Sequence, residues 1–145
     1  MQRDRQPQFV RPGEGQSFAD LTCRVSSAST HGAYCAFEFA TLPGEGVPLH
    51  VHTREDERYY ILDGAFEIQC DGKVFTAESG AMAVLPRNIP HAFRNTGTMP
   101  ARALTVFIPG GFDMFVKELN ELSSADAADE DKRNVIRRKF GIRML

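Results

Sequence analysis

The sequence predicts an all-β domain, a closed barrel or two-sheet jelly roll, followed by one or two helices. Between residues 34 and 108, apolar and polar residues alternate with period two, and Gly, Pro, Asn or Asp interrupts this pattern every several residues. After Pro109-Gly110-Gly111 the apolar period becomes helical. Short, numerous antiparallel strands usually close into a barrel or stack as a jelly roll, because either arrangement leaves few exposed sheet edges.

A β-hairpin around Asp71-Gly72 is the clearest local feature. Phe66, Ile68 and Cys70 alternate with polar residues before the turn, and residues 74–76 return after it. Asp-Gly is a typical dipeptide of two-residue hairpin turns, since these turns need a positive φ at both positions. The other predicted strands are 21–25, 34–40, 49–52, 58–62, 82–85, 91–94 and 104–108.

Two helices are predicted after the strands. The first places a stripe of apolar residues on one face, which would dock on the barrel. This stripe consists of Phe112, Phe115, Val116, Leu119 and Leu122. Residues 123–130 are predicted to be a polar loop. The second helix, 129–140, begins with acidic residues and ends with basic ones before Gly141, which suits the helix dipole and supplies a glycine stop.

The length of 145 residues suits a single folding unit. We expect residues 1–20 to form an N-terminal arm, which could pair with a partner subunit. Residues 21–110 would form the barrel, and residues 111–145 a helical extension packed on it. Cys23, Cys35 and Cys70 are odd in number and lack a CxxC pair, so they are interpreted as reduced, buried thiols rather than a disulfide framework or zinc ribbon.

Charge and hydropathy argue against two classes of partner. The formal net charge is −2 and no Lys/Arg cluster alternates with aromatic residues, so we expect no nucleic-acid partner. The apolar runs fall well short of the ~20 residues of a membrane helix, and the polar start MQRDRQPQF lacks the apolar core of a signal peptide. We therefore expect a soluble, cytoplasmic protein without a membrane partner.

The segment HVHTREDE, residues 50–57, suggests a metal site. Side chains at positions i and i+2 of a strand share a face, so His50 and His52 project together. Glu57 opens the next predicted strand, where its carboxylate can turn back toward the pair. His91 begins a return strand after a turn rich in Pro and Asn. Three imidazoles and one carboxylate could thus converge.

Other ionisable residues near this segment are weaker candidates. Asp56 would replace Glu57 as the carboxylate if the loop were one residue shorter, and Glu55 is expected to be solvated. His31 lies in the turn-like stretch Ser-Thr-His-Gly and is expected at the surface.

At these residues the chain resembles the cupin family. A first cupin motif, Gly-x5-His-x-His-x3-4-Glu-x6-Gly, is matched by Gly44, His50, His52, Glu57 and Gly64. A second motif, Gly-x5-Pro-x-Gly-x2-His-x3-Asn, is matched by Gly80, Pro86, His91 and Asn95. Asn88 replaces the inner glycine of this second motif; Asn is the next most tolerant residue of positive φ, so the turn should survive.

The resemblance implies a double-stranded β-helix, the jelly-roll cupin barrel, and extends more loosely to single-domain cupins similar to quercetin dioxygenase. It implies that His50, His52, Glu57 and His91 bind one divalent transition metal per chain. Fe, Mn, Ni, Co, Cu and Zn all accept such ligands, so the ligand set does not choose the metal. Single-barrel cupins commonly form homodimers, and the resemblance predicts one here.

Three functions remain open from the sequence. The first is a dioxygenase for an enol, catechol or polyketide-like aromatic substrate, with Glu57 as the catalytic proton acceptor. The second is a metal-dependent isomerase, cyclase or lyase for a sugar or keto compound, and the third is a non-catalytic small-molecule binder. The aromatic residues that could line a pocket or pack the core are Tyr34, Phe37, Phe39, Tyr59, Tyr60, Phe66 and Phe93.

Overall fold

A computed structural model describes residues 6–145 and contains eleven strands and three α-helices in that range. The strands are β1 Gln16–Phe18, β2 Leu21–Val25, β3 Cys35–Thr41, β4 Gly46–His52, β5 Asp56–Asp63, β6 Ala65–Cys70, β7 Lys73–Glu78, β8 Met82–Leu85, β9 His91–Arg94, β10 Ala101–Ile108 and β11 Ile142–Met144. The helices are α1 Phe112–Asn120, α2 Ser124–Ala128 and α3 Glu130–Lys139.

The strands form two antiparallel sheets that face each other as a jelly roll. One sheet has the order β1-β2-β3-β10-β5-β8 and the other the order β11-β4-β9-β6-β7. Neighbours in a sheet are often distant in sequence, as in the pairing of β3 with β10. The predicted fold class is confirmed.

The predicted strands are all present, with different degrees of agreement at their ends. β2, β8 and β9 begin and end at the predicted residues, whereas β3, β4, β5 and β10 differ by one to three residues. The predicted hairpin joins β6 to β7, and its turn residues Asp71 and Gly72 both have positive φ, 53° and 71°. This backbone is the one that the Asp-Gly dipeptide favours.

The helical region contains one error of prediction. Residues 123–130 were expected to be a polar loop, but α2 lies within them. The Ser123 side chain accepts a hydrogen bond from the backbone N–H of Asp126, and three alanines follow within the helix. An N-cap followed by residues of high helix propensity is sufficient for one helical turn. α3 agrees with its prediction, since Asp129 caps it and Gly141 follows with φ 74°.

Strand β11 was not predicted. It pairs with β4, placing Ile142 opposite His52 and Met144 opposite His50. Three residues carry too little alternation to indicate a strand, and this pairing depends on how α3 returns the chain to the sheet. The C-terminal segment therefore completes the sheet that holds the two histidines.

The interior consists of two clusters of apolar side chains. The first lies between the sheets around Ile61, Phe66, Ile68 and Leu85. In the second, α1 and α3 pack on the barrel, with two residues of the predicted apolar stripe buried and the other three partly buried. The buried members of this second cluster are Phe18, Cys23, Cys35, Phe37, Phe107, Phe115, Val116, Ile136 and Ile142.

The three cysteines are free thiols, as the sequence predicts. Cys23 and Cys35 are buried, and Cys70 is half-buried; burial raises the pKa of Cys23 to about 11.

Residues 1–5 of the predicted arm lie outside the described residues, and β1 pairs with β2 of its own chain. The exchange of the arm and the three-segment division stay predictions. None of the helices within residues 6–145 is long and apolar enough to cross a membrane.

Asn95, the last residue of the second motif, joins two loops at one end of the barrel. It is fully buried, and its Nδ2 donates to the carbonyls of Thr41 and Met99 at 2.9 and 2.8 Å. Its Oδ1 accepts from the backbone N–H of Gly97 at 2.9 Å. Asn95 therefore has a structural role in this motif, because it holds the two loops together by hydrogen bonds.

We predict that Asn95→Ala lowers the free energy of unfolding by about 3 kcal/mol, from roughly 1 kcal/mol for each of three hydrogen bonds. The measurement is urea denaturation followed by circular dichroism. Thr96→Ala, at the exposed neighbour, is the control and should change stability by less than about 0.5 kcal/mol. Equal stability of the two variants would show that the buried amide contributes nothing.

Candidate metal centre

Four buried side chains from three strands meet inside the barrel. His50 and His52 come from β4, Glu57 from β5 and His91 from β9, and each is at most 5% exposed. One potential ligand atom from each residue lies within 4.8 Å of the corresponding atoms of the other three. The structure thus brings together the four residues that the sequence analysis singled out.

Strand pairing explains this convergence. His50 and His52 share the inner face of β4, as the period of a strand requires. The antiparallel register of β4 and β9 places His91 directly opposite His50. Glu57 lies on the inner face of β5, in the opposing sheet, where it faces the three imidazoles.

The turn before His91 adopts the conformation expected from the motif. Asn88 stands where the motif has glycine, and its φ is 65°. Its backbone N–H donates to the carbonyl of His52 at 2.7 Å, so this turn also connects the loop to β4. The substitution of Asn for Gly therefore leaves the position of His91 intact, as predicted.

Backbone carbonyls orient two of the imidazoles. Nδ1 of His50 lies 2.9 Å from the carbonyl oxygen of Pro48, and Nδ1 of His91 lies 3.2 Å from that of Ile89. A carbonyl only accepts hydrogen bonds, so each Nδ1 carries the proton of a neutral ring. Each Nε2 then directs its lone pair toward the cluster. This arrangement is typical of metal-binding histidines.

His91 shows that the cluster suits a cation. Besides the carbonyl of Ile89 at Nδ1, its Nε2 lies 3.0 Å from Oε2 of Glu57. A neutral imidazole has one N–H and can satisfy only one of two acceptors. A metal ion beside Nε2 would satisfy the carboxylate and leave the Nδ1 proton in place, so the residues present fit a metal.

Charge states also favour a metal site. Burial and then the neighbouring His91 lower the pKa of His50 to about 4, so this imidazole is neutral near pH 7. Burial raises the pKa of Glu57, but the contacts with the adjacent imidazoles, His91 first, lower it more strongly, and the net pKa lies below the ordinary value of a glutamate. Neutral imidazoles with one carboxylate suit most divalent first-row metals.

Thr105 holds the other oxygen of Glu57. This β10 residue is 3% exposed, and its Oγ1 donates to Oε1 of Glu57 at 3.1 Å. Oε2 therefore remains directed at the histidines. Thr105 was not singled out from the sequence; its polar side chain on the otherwise apolar inner face of β10 was the available signal.

A cavity of about 780 Å³ opens from the cluster. Its wall combines residues of both sheets with residues of the C-terminal helices. The aromatic residues in it are Phe39, Tyr59, Phe93, Phe107, Phe112 and Phe115. Burial and then the charge of Glu57 raise the pKa of Tyr59 well above its usual value, so it stays a neutral hydroxyl.

The aromatic candidates from the sequence divide into three groups. Phe39, Tyr59 and Phe93 line the cavity, Phe37 and Phe66 are core residues, and Tyr34 and Tyr60 are exposed. Three further wall residues, Phe107, Phe112 and Phe115, were not on that list. Two of them lie on the helix α1, and no sequence pattern indicates which end of the barrel a helix will cover.

The remaining ionisable candidates fall in different places. Asp56 accepts hydrogen bonds from the backbone N–H and the guanidinium of Arg87, away from the cluster. His31 is exposed, as expected. The expectation of a solvated Glu55 was wrong, because this residue is 6% exposed and its Oε1 lies 3.3 Å from Nδ1 of His52.

Comparisons with known proteins agree with this geometry. A family model described as "Cupin domain" matches residues 37–107. The oxalate-binding protein of Thermotoga maritima is 30% identical over 100 residues, which cover 68% of this chain and 81% of that protein. The solved structure of KdgF from Halomonas sp. is 19% identical, covers 75% of this chain and 99% of that chain, and has a TM-score of 0.64.

A longer enzyme is also similar. Quercetin 2,3-dioxygenase of Bacillus subtilis (strain 168) is 31% identical over 97 residues, which cover 63% of this chain and 28% of the enzyme. The chain spans less than half the length of three curated relatives, this dioxygenase among them.

We predict that the protein retains one divalent ion per chain after loading with Co(II) or Zn(II), because four donors converge on one point. The ion also raises the unfolding temperature, since it binds only the folded state. Elemental analysis and thermal denaturation measure the two effects. His50→Ala/His52→Ala should abolish both, and His31→Ala should preserve both. Equal metal retention by the two variants would place the ion elsewhere.

Proposed function

The chain belongs to the cupin family, and from this premise we propose that it is a metal-dependent dioxygenase for an enol, catechol or polyketide-like aromatic substrate. The observation that carries this proposal is the position of four convergent donor atoms beside a cavity of about 780 Å³ whose wall contains six Phe or Tyr residues. The similarity of this chain to part of quercetin 2,3-dioxygenase supports the same reaction class.

The cavity wall suits a flat, aromatic substrate. Phe107 and Phe112 stack with centroids 3.9 Å apart, and both rings lie 5.7 Å from the ring of His52. Phe39, Tyr59 and Phe93 pack edge-on or tilted on the opposite part of the wall. These surfaces would hold an aromatic body by apolar contact, while its oxygen atoms point at the polar cluster.

Proton transfer would involve Glu57. Its Oε1 is held by Thr105, and its Oε2 faces the histidines and the cavity. A carboxylate with a lowered pKa can accept the proton of a substrate hydroxyl while one oxygen stays anchored. A transition-metal ion bound by the four residues would supply Lewis acidity and, where redox-active, chemistry with dioxygen. The aromatic wall would exclude bulk water from this step.

Two observations support the alternative functions. The Thermotoga maritima relative, most of whose length this chain matches, is named for binding oxalate, which favours a non-catalytic binder. Tyr59 stays protonated beside Glu57 and could return a proton, which favours an oxygen-independent isomerase, cyclase or lyase. Both alternatives use the same four ligands.

We also propose a homodimer formed through the outer face of the six-stranded sheet. Tyr60, Met82 and Val84 lie on this face and are 42%, 63% and 57% exposed. Ion pairs Asp56–Arg87 and Asp63–Arg102 flank the two ends of β5. Each end of β5 thus carries one positive and one negative side chain. Such an arrangement of charges is complementary to itself across a two-fold axis, so a second copy of the chain fits this face.

We predict oxygen consumption when the protein loaded with Fe(II), Mn(II), Co(II) or Ni(II) meets flavonols or other enediols, because the four residues would hold a redox-active metal beside the cavity that binds the substrate. An oxygen electrode measures uptake, and mass spectrometry shows both atoms of ¹⁸O₂ in the products. His50→Ala/His52→Ala is the inactive control. Turnover that persists under argon would identify the isomerase or lyase class, and ligand binding without turnover would identify a binder.

We predict a mass about twice the 16.1 kDa of one chain in light scattering after size exclusion. Val84→Lys should shift the protein toward the monomer, because it adds an ammonium opposite Arg58, the strand partner of Val84, and two like charges buried in an interface are costly. Val74→Lys is the matched control, since Val74 is 61% exposed on the other sheet. A wild-type mass near that of one chain would contradict the dimer.

A further inference from the structure

Glu55 is a buried carboxylate that the proposed function does not use. It is 6% exposed, and its Oε1 lies 3.3 Å from Nδ1 of His52. We propose that Glu55 is a positioning residue that fixes the ring and the Nδ1 proton of His52 and increases the affinity of the centre for a cation. This inference rests on the proposed metal centre.

Glu55 gives His52 a different kind of partner from those of the other two histidines. His50 and His91 direct Nδ1 to the carbonyls of Pro48 and Ile89, which are neutral acceptors. A carbonyl fixes the tautomer and the ring, whereas a carboxylate does so and adds negative charge. The donor strength of Nε2 in His52 therefore exceeds that of an imidazole with a neutral partner.

Glu55 does not itself belong to the ligand cluster. Its oxygen faces Nδ1 of His52, whereas the four converging donors are those of His50, His52, Glu57 and His91. Its carboxylate thus acts on a bound ion through the imidazole ring. It supplies a second negative charge to the centre, and a carboxylate–imidazole–metal arrangement follows.

The burial of Glu55 also favours a cation at this position. A carboxylate removed from water is costly unless a positive group compensates for it. Within residues 6–145, the ion pair found for Glu55 is with the ring of His52, whose other nitrogen lies 3.6 Å from Glu57. Two buried carboxylates on either side of one imidazole are best compensated by a metal ion bound at Nε2.

The loop before β5 holds Glu55 in this position at both of its ends. The backbone N–H and Oγ1 of Thr53 donate to the carbonyl of Gly141 at 2.9 and 2.8 Å. At the other end, Asp56 is held by Arg87. With Thr53 and Asp56 anchored at the surface, the side chain of Glu55 turns inward. The four-residue spacing between His52 and Glu57 leaves room for this turn.

The test compares Co(II) binding by wild type, Glu55→Gln and Glu55→Ala, measured by titration of the visible absorption of Co(II). We expect Glu55→Ala to weaken binding about 10- to 100-fold, the usual effect of losing such a partner. Glu55→Gln keeps an acceptor without charge, so its loss should be smaller. Glu78→Gln removes the same charge from an exposed residue at the end of β7, which takes no part in holding Glu55; it should bind Co(II) as the wild type does.

A second measurement detects the hydrogen bond itself. In the Zn(II)-loaded protein with ¹⁵N-labelled histidine, the Nδ1 proton of His52 should resonate far downfield and move upfield in Glu55→Gln. The Nδ1 protons of His50 and His91 should not move, because their carbonyl partners are unchanged. Glutamine has nearly the same size and shape as glutamate, so we expect Glu55→Gln to fold. The proposal can therefore be tested with this variant even if Glu55→Ala does not fold.

Two failures can be told apart. If wild type binds Co(II) and both Glu55 variants bind it equally well, with an unmoved His52 signal, the role of Glu55 is overturned while the metal centre stands. If wild type binds no Co(II), the proposed metal centre is overturned, and this inference is overturned with it.

Discussion

The antiparallel pairing of β4 with β9 is the constraint on which the rest of the site depends. It sets His50 opposite His91, and the period of β4 adds His52 on the same face. A slip of one residue in β4 would turn both of its histidines to the other face, since a strand alternates sides at every residue. The turn at Asn88, whose backbone N–H donates to the carbonyl of His52, and the pairing of β9 with β6 both help to fix this register.

The opposite sheet supplies the carboxylate of the site and the hydroxyl group that orients it. β5 brings the carboxylate of Glu57, and β10 brings the hydroxyl of Thr105 that orients it. The C-terminal segment then encloses the cavity, because α1 contributes Phe112 and Phe115 to its wall while β11 extends the sheet beside β4. Ligand cluster, orienting groups and cavity wall therefore come from elements far apart in the chain, which only a closed barrel can bring together.

Burial gives this cluster its chemical character. Burial lowers the pKa of His50, so this imidazole loses its proton more readily, while the nearby imidazoles keep Glu57 ionised. Without a cation the arrangement is poorly compensated, since His91 faces two acceptors and His52 lies between two carboxylates. Proteins retain such locally unfavourable groups where function requires them, at a cost covered by the surrounding core.

The sequence alone determined the features that depend on neighbouring residues. Period-two alternation identified the strands, Asp71-Gly72 identified a hairpin turn, and the spacing of His50 and His52 placed them on one face, because backbone preference and side-chain direction are local properties. The addition of Glu57 and His91 to one ligand set was implied by the resemblance of the two motifs to the cupin family. The tertiary structure alone decided the burial of Glu55, the contact of Thr105 with Glu57, the aromatic wall from α1 and the pairing of β11. These features depend on which distant segments meet, and burial and pairing between such segments leave no periodic signal in the sequence of either one.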